Sequence, residues 1–202
     1  EGFILAGGAS SRMGADKAGL SLGGETLVAR VGRALAGTTS RTSVVSSRAG
    51  HQGFNLPVVP DAYAGAGALG GLHAALAACS APWALVVSCD LPFVTPELFA
   101  RLASFAADEL DAVAPVQPDG RPQPLCALYS ARACLRVAER LLDGGELRPR
   151  ALLGRVRTRW VTPAELSDLT RAELFFTNLN TPADYERAKA GLDDARLDLS
   201  PR

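Results

Sequence analysis

The chain has 202 residues, 48% of them hydrophobic and 21% charged, which excludes wholesale disorder or a fibrous design and suits one domain around a single large core. Lys and Arg (21) balance Asp and Glu (21), so there is no electrostatic footprint for generic nucleic-acid binding, and any anion site must be local. Cys79, Cys89, Cys126 and Cys134 form no C-x-x-C pair and no metal-like cluster with His51 and His73, so reduced, buried thiols are expected.

No basic stretch followed by an apolar run opens the chain, and no apolar segment reaches the roughly 18–20 residues needed to cross a bilayer. Cytoplasm is the expected compartment, with no membrane partner. Glu1 directly precedes an apolar stretch, so a short native leader ahead of it is expected.

Phe3 to Leu5 reads as a buried strand that empties into glycines. Leu27, Val28, Val31 and Leu35 keep helical spacing, while Val44–Val45, Val58–Val59 and Leu85–Val87 are short β-branched runs bounded by turn residues. Leu69, Leu72 and Leu76 mark a further helix, preceded by an Ala/Gly-rich loop from Tyr63 to Gly71. Thr95-Pro96-Glu97 opens the next helix with a capping residue and an N1 proline, and Leu98, Phe99, Leu102 and Phe105 form its apolar face. Ala112–Val116 and Leu125–Tyr129 read as paired strands, Ser130 to Leu142 as a helix, Arg148 to Val161 as a short helix and edge strand, and Phe175–Phe176 as a last strand. Thr181-Pro182-Ala183-Asp184 starts the final helix with a cap, an N1 proline and an acidic N3 residue. The expected architecture is a three-layer α/β/α sandwich with a mostly parallel, partly mixed open sheet, in one domain over residues 1–192 with a frayed tail at 193–202.

Two loops carry chemistry. In Leu5-Ala6-Gly7-Gly8-Ala9-Ser10-Ser11-Arg12-Met13-Gly14-Ala15-Asp16-Lys17, adjacent glycines let the backbone approach a phosphate, and Ser10, Ser11, Arg12 and Lys17 add donors. The segment is neither a P-loop nor the dinucleotide fingerprint. A glycine turn alone is weak; Arg12 and Lys17 turn it toward polyphosphate. In Val86-Val87-Ser88-Cys89-Asp90-Leu91-Pro92-Phe93 an apolar strand ends in a carboxylate at the sheet edge where open α/β folds bind ligands. Mg²⁺ commonly uses one or two carboxylates plus substrate phosphates, so Asp90 can hold it. The competing reading of Asp90 is a turn or helix cap.

Leu5 to Lys17 resembles the L-A-G-G-x-S-x-R-M-G-x-D-K signature of the molybdenum cofactor guanylyltransferases, the MobA family. Val59-Pro60-Asp61, Gly67 to Leu72, Ser88 to Pro92, Arg121 to Tyr129 and Asn178-Leu179-Asn180-Thr181-Pro182 extend the resemblance to the final helix. It implies a Rossmann-like nucleotidyltransferase fold, GTP as donor, molybdopterin or Mo-molybdopterin as acceptor, and molybdopterin guanine dinucleotide and pyrophosphate as products. It also implies Leu5, Ala6, Gly7 and Gly8 at the nucleotide, Lys17 and Arg12 at its phosphates, Asp61 at the guanosine, Asp90 at Mg²⁺ and Asn180 near the metal. Asn178 is read equally as a loop tie. A molybdenum-insertion protein and apo-molybdoenzymes or their chaperones are the implied protein partners. The chain departs from the pattern at Ser46-Ser47-Arg48, where many relatives carry an asparagine near the base, and at Ala68, where a proline is common.

Arg148, Arg150, Arg155, Arg157 and Arg159 read as a solvated basic face, His73 as a structural histidine, and Cys89 as a small buried strand residue. Three rival functions stand beside the main one. They are a cytidylyltransferase on the same pterin, a sugar-phosphate nucleotidyltransferase, and a non-catalytic nucleotide-binding adaptor that delivers cofactor. Gly7-Gly8 speaks against the first, because cytidylyl relatives typically begin L-A-A-G; intact Arg12, Lys17 and Asp90 speak against the last.

Overall fold

The computed structural model describes residues 1–6, 19–46, 55–61, 63 and 65–197, with side chains to 191. Strands β1 (Gly2–Leu5), β4 (Thr42–Ser46), β5 (Val58–Pro60), β6 (Trp83–Ser88), β7 (Ala112–Pro115), β8 (Cys126–Ser130) and β9 (Thr158–Val161) form a sheet in the order β5-β4-β1-β6-β8-β7-β9. Only β8 runs against its neighbours; every other pairing is parallel. Because β8 reverses between β6 and β7, the ends of β7 and β9 emerge on the same edge as those of β1, β4, β5 and β6.

The nearly continuous apolar strands follow from helices on both faces. Ile4, Val44, Leu85, Val87 and Val113 pack against Val28, Val31 and Leu35 of α1 (Leu27–Ala36) and Leu98, Phe99 and Leu102 of α3 (Pro96–Ser104). Their alternates Phe3, Leu5, Val45, Ala84, Val86 and Ala112 pack against α2 (Gly67–Ala78), α4 (Ala131–Asp143) and α5 (Pro149–Leu153). The period of two along each strand thus divides one sheet between two cores. A Leu→Ala change in either core should cost about 2–5 kcal/mol.

The caps form as the sequence indicates. Thr95 Oγ1 accepts the Leu98 N–H at 3.3 Å, with Pro96 at N1. At α6 (Pro182–Leu197) Asp184 accepts the Thr181 N–H at 2.8 Å while the Asp184 N–H donates to Thr181 Oγ1 at 3.2 Å.

Three features differ from the sequence reading. Gly67 to Gly71, read as loop, is the first turn of α2; a Cβ on Gly70 would stand 3.0 Å from Ala66 Cβ and 3.1 Å from the Tyr63 carbonyl, so these glycines serve close packing within a helix. Phe175–Phe176 is no strand: a short 3-10 turn over Ala172–Leu174 delivers Phe175 into the core, and a lone apolar pair carries no period to tell the two apart. A two-stranded hairpin of β2 (Ser21–Leu22) and β3 (Glu25–Thr26) was not anticipated; Gly23 and Gly24, at φ 65° and 87°, make the turn that such hairpins require. Leu22 and Leu27 join Leu179 and Ala188 in a small third core, and the Tyr185 hydroxyl donates to the Ser21 carbonyl, fixing the hairpin to α6. Among the described residues no helix is long and apolar enough to cross a membrane.

Candidate functional site

The parallel register gathers the sequence-marked residues at one edge. Leu5 stands opposite both Val45 and Ser88. Beyond the strands, the Ala6 N–H donates to the Val45 carbonyl at 2.9 Å, Asp61 N–H to Ser46 at 3.3 Å, and Cys89 N–H to Leu5 at 3.1 Å. The Leu179 N–H donates to the Asp90 carbonyl at 3.0 Å, which fastens the Asn178–Asn180 segment beside the end of β6. Leu5, Ala6, Asp61, Asp90 and Asn180 therefore share one sheet edge through backbone bonds alone. Gly7, Gly8, Arg12 and Lys17 lie outside the described residues, as do Ser47, Arg48 and His51.

Leu5 is 5% exposed, and its side chain belongs to the core over α2, so only its backbone is positioned for a ligand. Asp61 Oδ1 accepts the Tyr63 N–H at 3.0 Å, a local turn that holds the carboxylate at the head of α2. A Cβ on Gly70 would meet that same oxygen at 3.3 Å, so the glycine is what lets the turn approach the helix.

Asp90 is held from behind. Leu91 N–H closes a turn onto the Ser88 carbonyl at 3.2 Å, and the Arg30 Nε–H donates to the Pro92 carbonyl at 2.8 Å. Its Oδ1 is inaccessible and has no hydrogen-bond partner among the described residues. A buried carboxylate oxygen without a donor costs free energy unless a cation or ligand donor completes it. A hard divalent cation fits this oxygen, and the neighbouring Cys89 thiol, buried and soft, does not compete for it. Among the described residues no group of three or more His, Cys, Asp or Glu could hold a metal.

Asn178 Nδ2 donates to the Phe176 carbonyl at 3.3 Å and ties its own loop, while Asn180 is exposed at the edge with its N–H on Asp184 Oδ2 at 3.1 Å. Leu179, fully buried, was missed as a positioning residue; its signal was a single apolar side chain between two asparagines. Arg30 was also missed, because its contact lies 62 residues away.

Three of the five arginines from Arg148 to Arg159 are held in ion pairs. Arg148 pairs with Glu146 at 2.8 Å, Arg157 with Asp111 at 2.9 Å, and Arg159 with Glu165. His73 is buried, with Nε2 3.7 Å from Glu139 and an edge contact to Tyr63 at 4.7 Å, yet its Nδ1 has no partner among the described residues. Cys79 is half-buried rather than buried, and burial raises its thiol pKa.

Residues 2–159 match the model of the MobA-like NTP transferase domain. A probable molybdenum cofactor guanylyltransferase of Pelotomaculum thermopropionicum is 36% identical over 197 residues, covering 96% of this chain and 94% of the relative. One from Chloroflexus aggregans is 38% identical, covering 97% and 96%. The crystal structure of molybdopterin-guanine dinucleotide biosynthesis protein A from Archaeoglobus fulgidus superposes with a TM-score of 0.80 at 26% identity, covering 96% of this chain and 98% of that one. At 19% identity, 2-C-methyl-D-erythritol 4-phosphate cytidylyltransferase from Thermus thermophilus shares the fold, with a TM-score of 0.69.

Proposed function

The chain belongs to the MobA-like NTP transferase family, and on that premise we propose that it transfers GMP from GTP to the terminal phosphate of molybdopterin, giving molybdopterin guanine dinucleotide and pyrophosphate. The observation that carries the reading is the sheet edge itself. It brings Leu5 and Ala6 at the root of the glycine-rich segment, Asp61 at the head of α2, and Asp90, whose Oδ1 has no partner among the described residues, to one edge. The relatives' names supply the base and the acceptor.

The acceptor phosphate is already an anion near neutral pH, so no protein nucleophile is required. The chain's work is to bind, align and neutralise. The segment from Leu5 to Gly8 would receive the nucleotide and Asp61 the guanosine. Arg12 and Lys17 would offset charge on the leaving pyrophosphate. Asp90, with Asn180 beside it, would hold Mg²⁺, which when bound supplies charge neutralisation at phosphate oxygens. Leu179 keeps Asp90 and Asn180 together through its bond to the Asp90 carbonyl. A molybdenum-insertion protein upstream and apo-molybdoenzymes or their chaperones downstream are the partners this reading implies.

Calorimetric titration with GTP, CTP and ATP, each with Mg²⁺, tests it. Preference for GTP followed by GMP transfer to molybdopterin is expected. Preference for CTP would move the assignment to a cytidylyltransferase, and GTP binding without transfer to an adaptor. EDTA should abolish transfer and Mg²⁺ restore it; full activity in EDTA would remove the metal from the reading.

A further inference from the structure

A cavity of about 430 Å³ opens where β7 and β9 end, lined among others by Val116, Gln117, Leu166, Glu173, Phe176 and Thr177. That volume lies in the range of small-molecule sites, which are mostly apolar with a few polar groups. The cavity shares the edge that carries Asp90. β7 stands two strands from β6, and at about 4.8 Å per strand the separation is roughly 10 Å, the reach of a pterin with a phosphate arm.

One continuous segment joins the two places. Phe176 is on the cavity wall, Asn178 donates to its carbonyl at 3.3 Å, and Leu179 donates to the Asp90 carbonyl at 3.0 Å. Phe176 is itself braced by an edge-on contact with the fully buried Phe175, ring centroids 6.3 Å apart and planes at 74°. It therefore presents a fixed aromatic wall.

The charge on the lining decides which part of an acceptor it suits. No Lys or Arg among the described residues lines the cavity, whereas Glu173 does, and that carboxylate has no ion pair or hydrogen bond among the described residues. Among the described residues the lining therefore suits a hydrogen-bond donor edge rather than a phosphate. A flat heteroaromatic ring with parallel N–H donors is what an aromatic wall and a free carboxylate complement. A pterin has those donors in its 2-amino group and N3–H.

We propose that this cavity binds the pterin ring of the acceptor, with Glu173 accepting from the 2-amino and N3–H edge, Phe176 against the ring face, and the phosphate arm extending along residues 176–179 toward Asp90. The assignment rests on the acceptor named under Proposed function. It makes Glu173 and Phe176 acceptor-binding residues, separate from the GTP half of the site.

Steady-state kinetics of Glu173→Gln should show the KM for molybdopterin raised about ten- to a hundredfold, the scale of one charge-assisted hydrogen bond. The KM for GTP should stay within about twofold. Phe176→Ala should raise the same KM, with circular dichroism verifying its fold. An unchanged KM for molybdopterin in Glu173→Gln would overturn the proposal. So would a rise in the KM for GTP alone, since guanine carries a similar donor edge and would then be the occupant. Quenching of free pterin fluorescence by the whole protein separates this from the wider reading. If the wild type transfers no GMP, the proposed function fails, but pterin bound by the wild type and lost in Glu173→Gln would still uphold the cavity. Equal binding by both, or binding by neither, would overturn it.

Discussion

Asp111 and Asp90 are both aspartates at ends of strands in one sheet, and the protein treats them differently. Asp111 precedes β7, and its two oxygens accept the Arg157 backbone N–H at 3.0 Å, Nε–H at 3.0 Å and Nη2–H at 2.9 Å. The Arg157 guanidinium holds its carboxyl below the usual range. Glu165 and Glu146 are completed in the same way by Arg159 and Arg148, each pushed down to about 2. Asp90, on the opposite edge, has an inaccessible oxygen with no partner among the described residues, and its bonds run through the backbone carbonyl instead. Arginine pairing finishes a carboxylate. A carboxylate whose backbone is secured while its oxygen stays unpartnered is set for a ligand.

The sharpest way to break this comparison is to remove both carboxylates separately. Asp90→Ala should lower GMP transfer by about a hundredfold or more, the scale of losing a charge-stabilising group at phosphoryl transfer. Its thermal midpoint should not fall, because Oδ1 has no partner to lose among the described residues. Substantial Mg²⁺-dependent turnover, measured in a quenched single-turnover assay, would sink the role given to Asp90. Gly70→Ala should come next. Its new Cβ would crowd the Tyr63 carbonyl at 3.1 Å and Asp61 Oδ1 at 3.3 Å, so the turn must shift. GTP affinity should drop about tenfold, as for a displacement of a few tenths of an ångström at a positioned group; calorimetry with unaltered affinity would detach Asp61 from the nucleotide. Asp111→Ala should behave oppositely to Asp90→Ala. It should cost about 1–2 kcal/mol for the lost hydrogen bonds, discounted for the exposed guanidinium, or roughly 2–8 °C in midpoint. Its KM for GTP should match the wild type. A GTP-binding defect there would erase the distinction between the two aspartates.

Most of the fold was legible because both faces of the sheet are covered. Val44–Val45 and Leu85–Val87 read as buried strands for that reason, and Thr95-Pro96 and Thr181-Pro182 announce helices through chemistry local to the cap. Phe175–Phe176 misled because a buried turn and a buried strand present the same two side chains. The hairpin at Gly23-Gly24 escaped because two-residue strands leave no alternation to see. For the site, Asp90 was marked by ending an apolar β-branched run at the strand end, whereas Asp61 was marked only by the family resemblance. What the sequence could not show was which distant residues hold the end of β6 in place. Leu179, just ahead of α6, reaches Asp90, just after β6, and Arg30 of α1 reaches Pro92 in the loop after β6. Such contacts exist only once the sheet order is known. The acceptor cavity is hidden for the same reason, since its walls come from the ends of β7 and β9 and from the turn that was mistaken for a strand.

The smallest effect concerns the finished carboxylates and is read against pH. Glu165 is lowered from an ordinary 4.5 to about 2, chiefly by the Arg159 hydrogen bond and then by the Thr162 N–H and hydroxyl. A carboxylate whose folded pKa is depressed adds stability that is present above the unfolded value and disappears as pH falls through the folded one. The window for Glu165 and for Glu146 is therefore pH 4.5 down to 2. Glu165→Gln should flatten the fall in thermal midpoint across that window without removing it, because Glu146 and Asp111 still titrate there with their own arginines. Since both partners of the Arg159 pair are about one-third exposed, the change at neutral pH should be small and should shrink further in high salt. An acid limb as steep as the wild type's would mean that Arg159 does not hold Glu165 in solution. The contrast with Asp90 would then rest on Asp111 and Glu146.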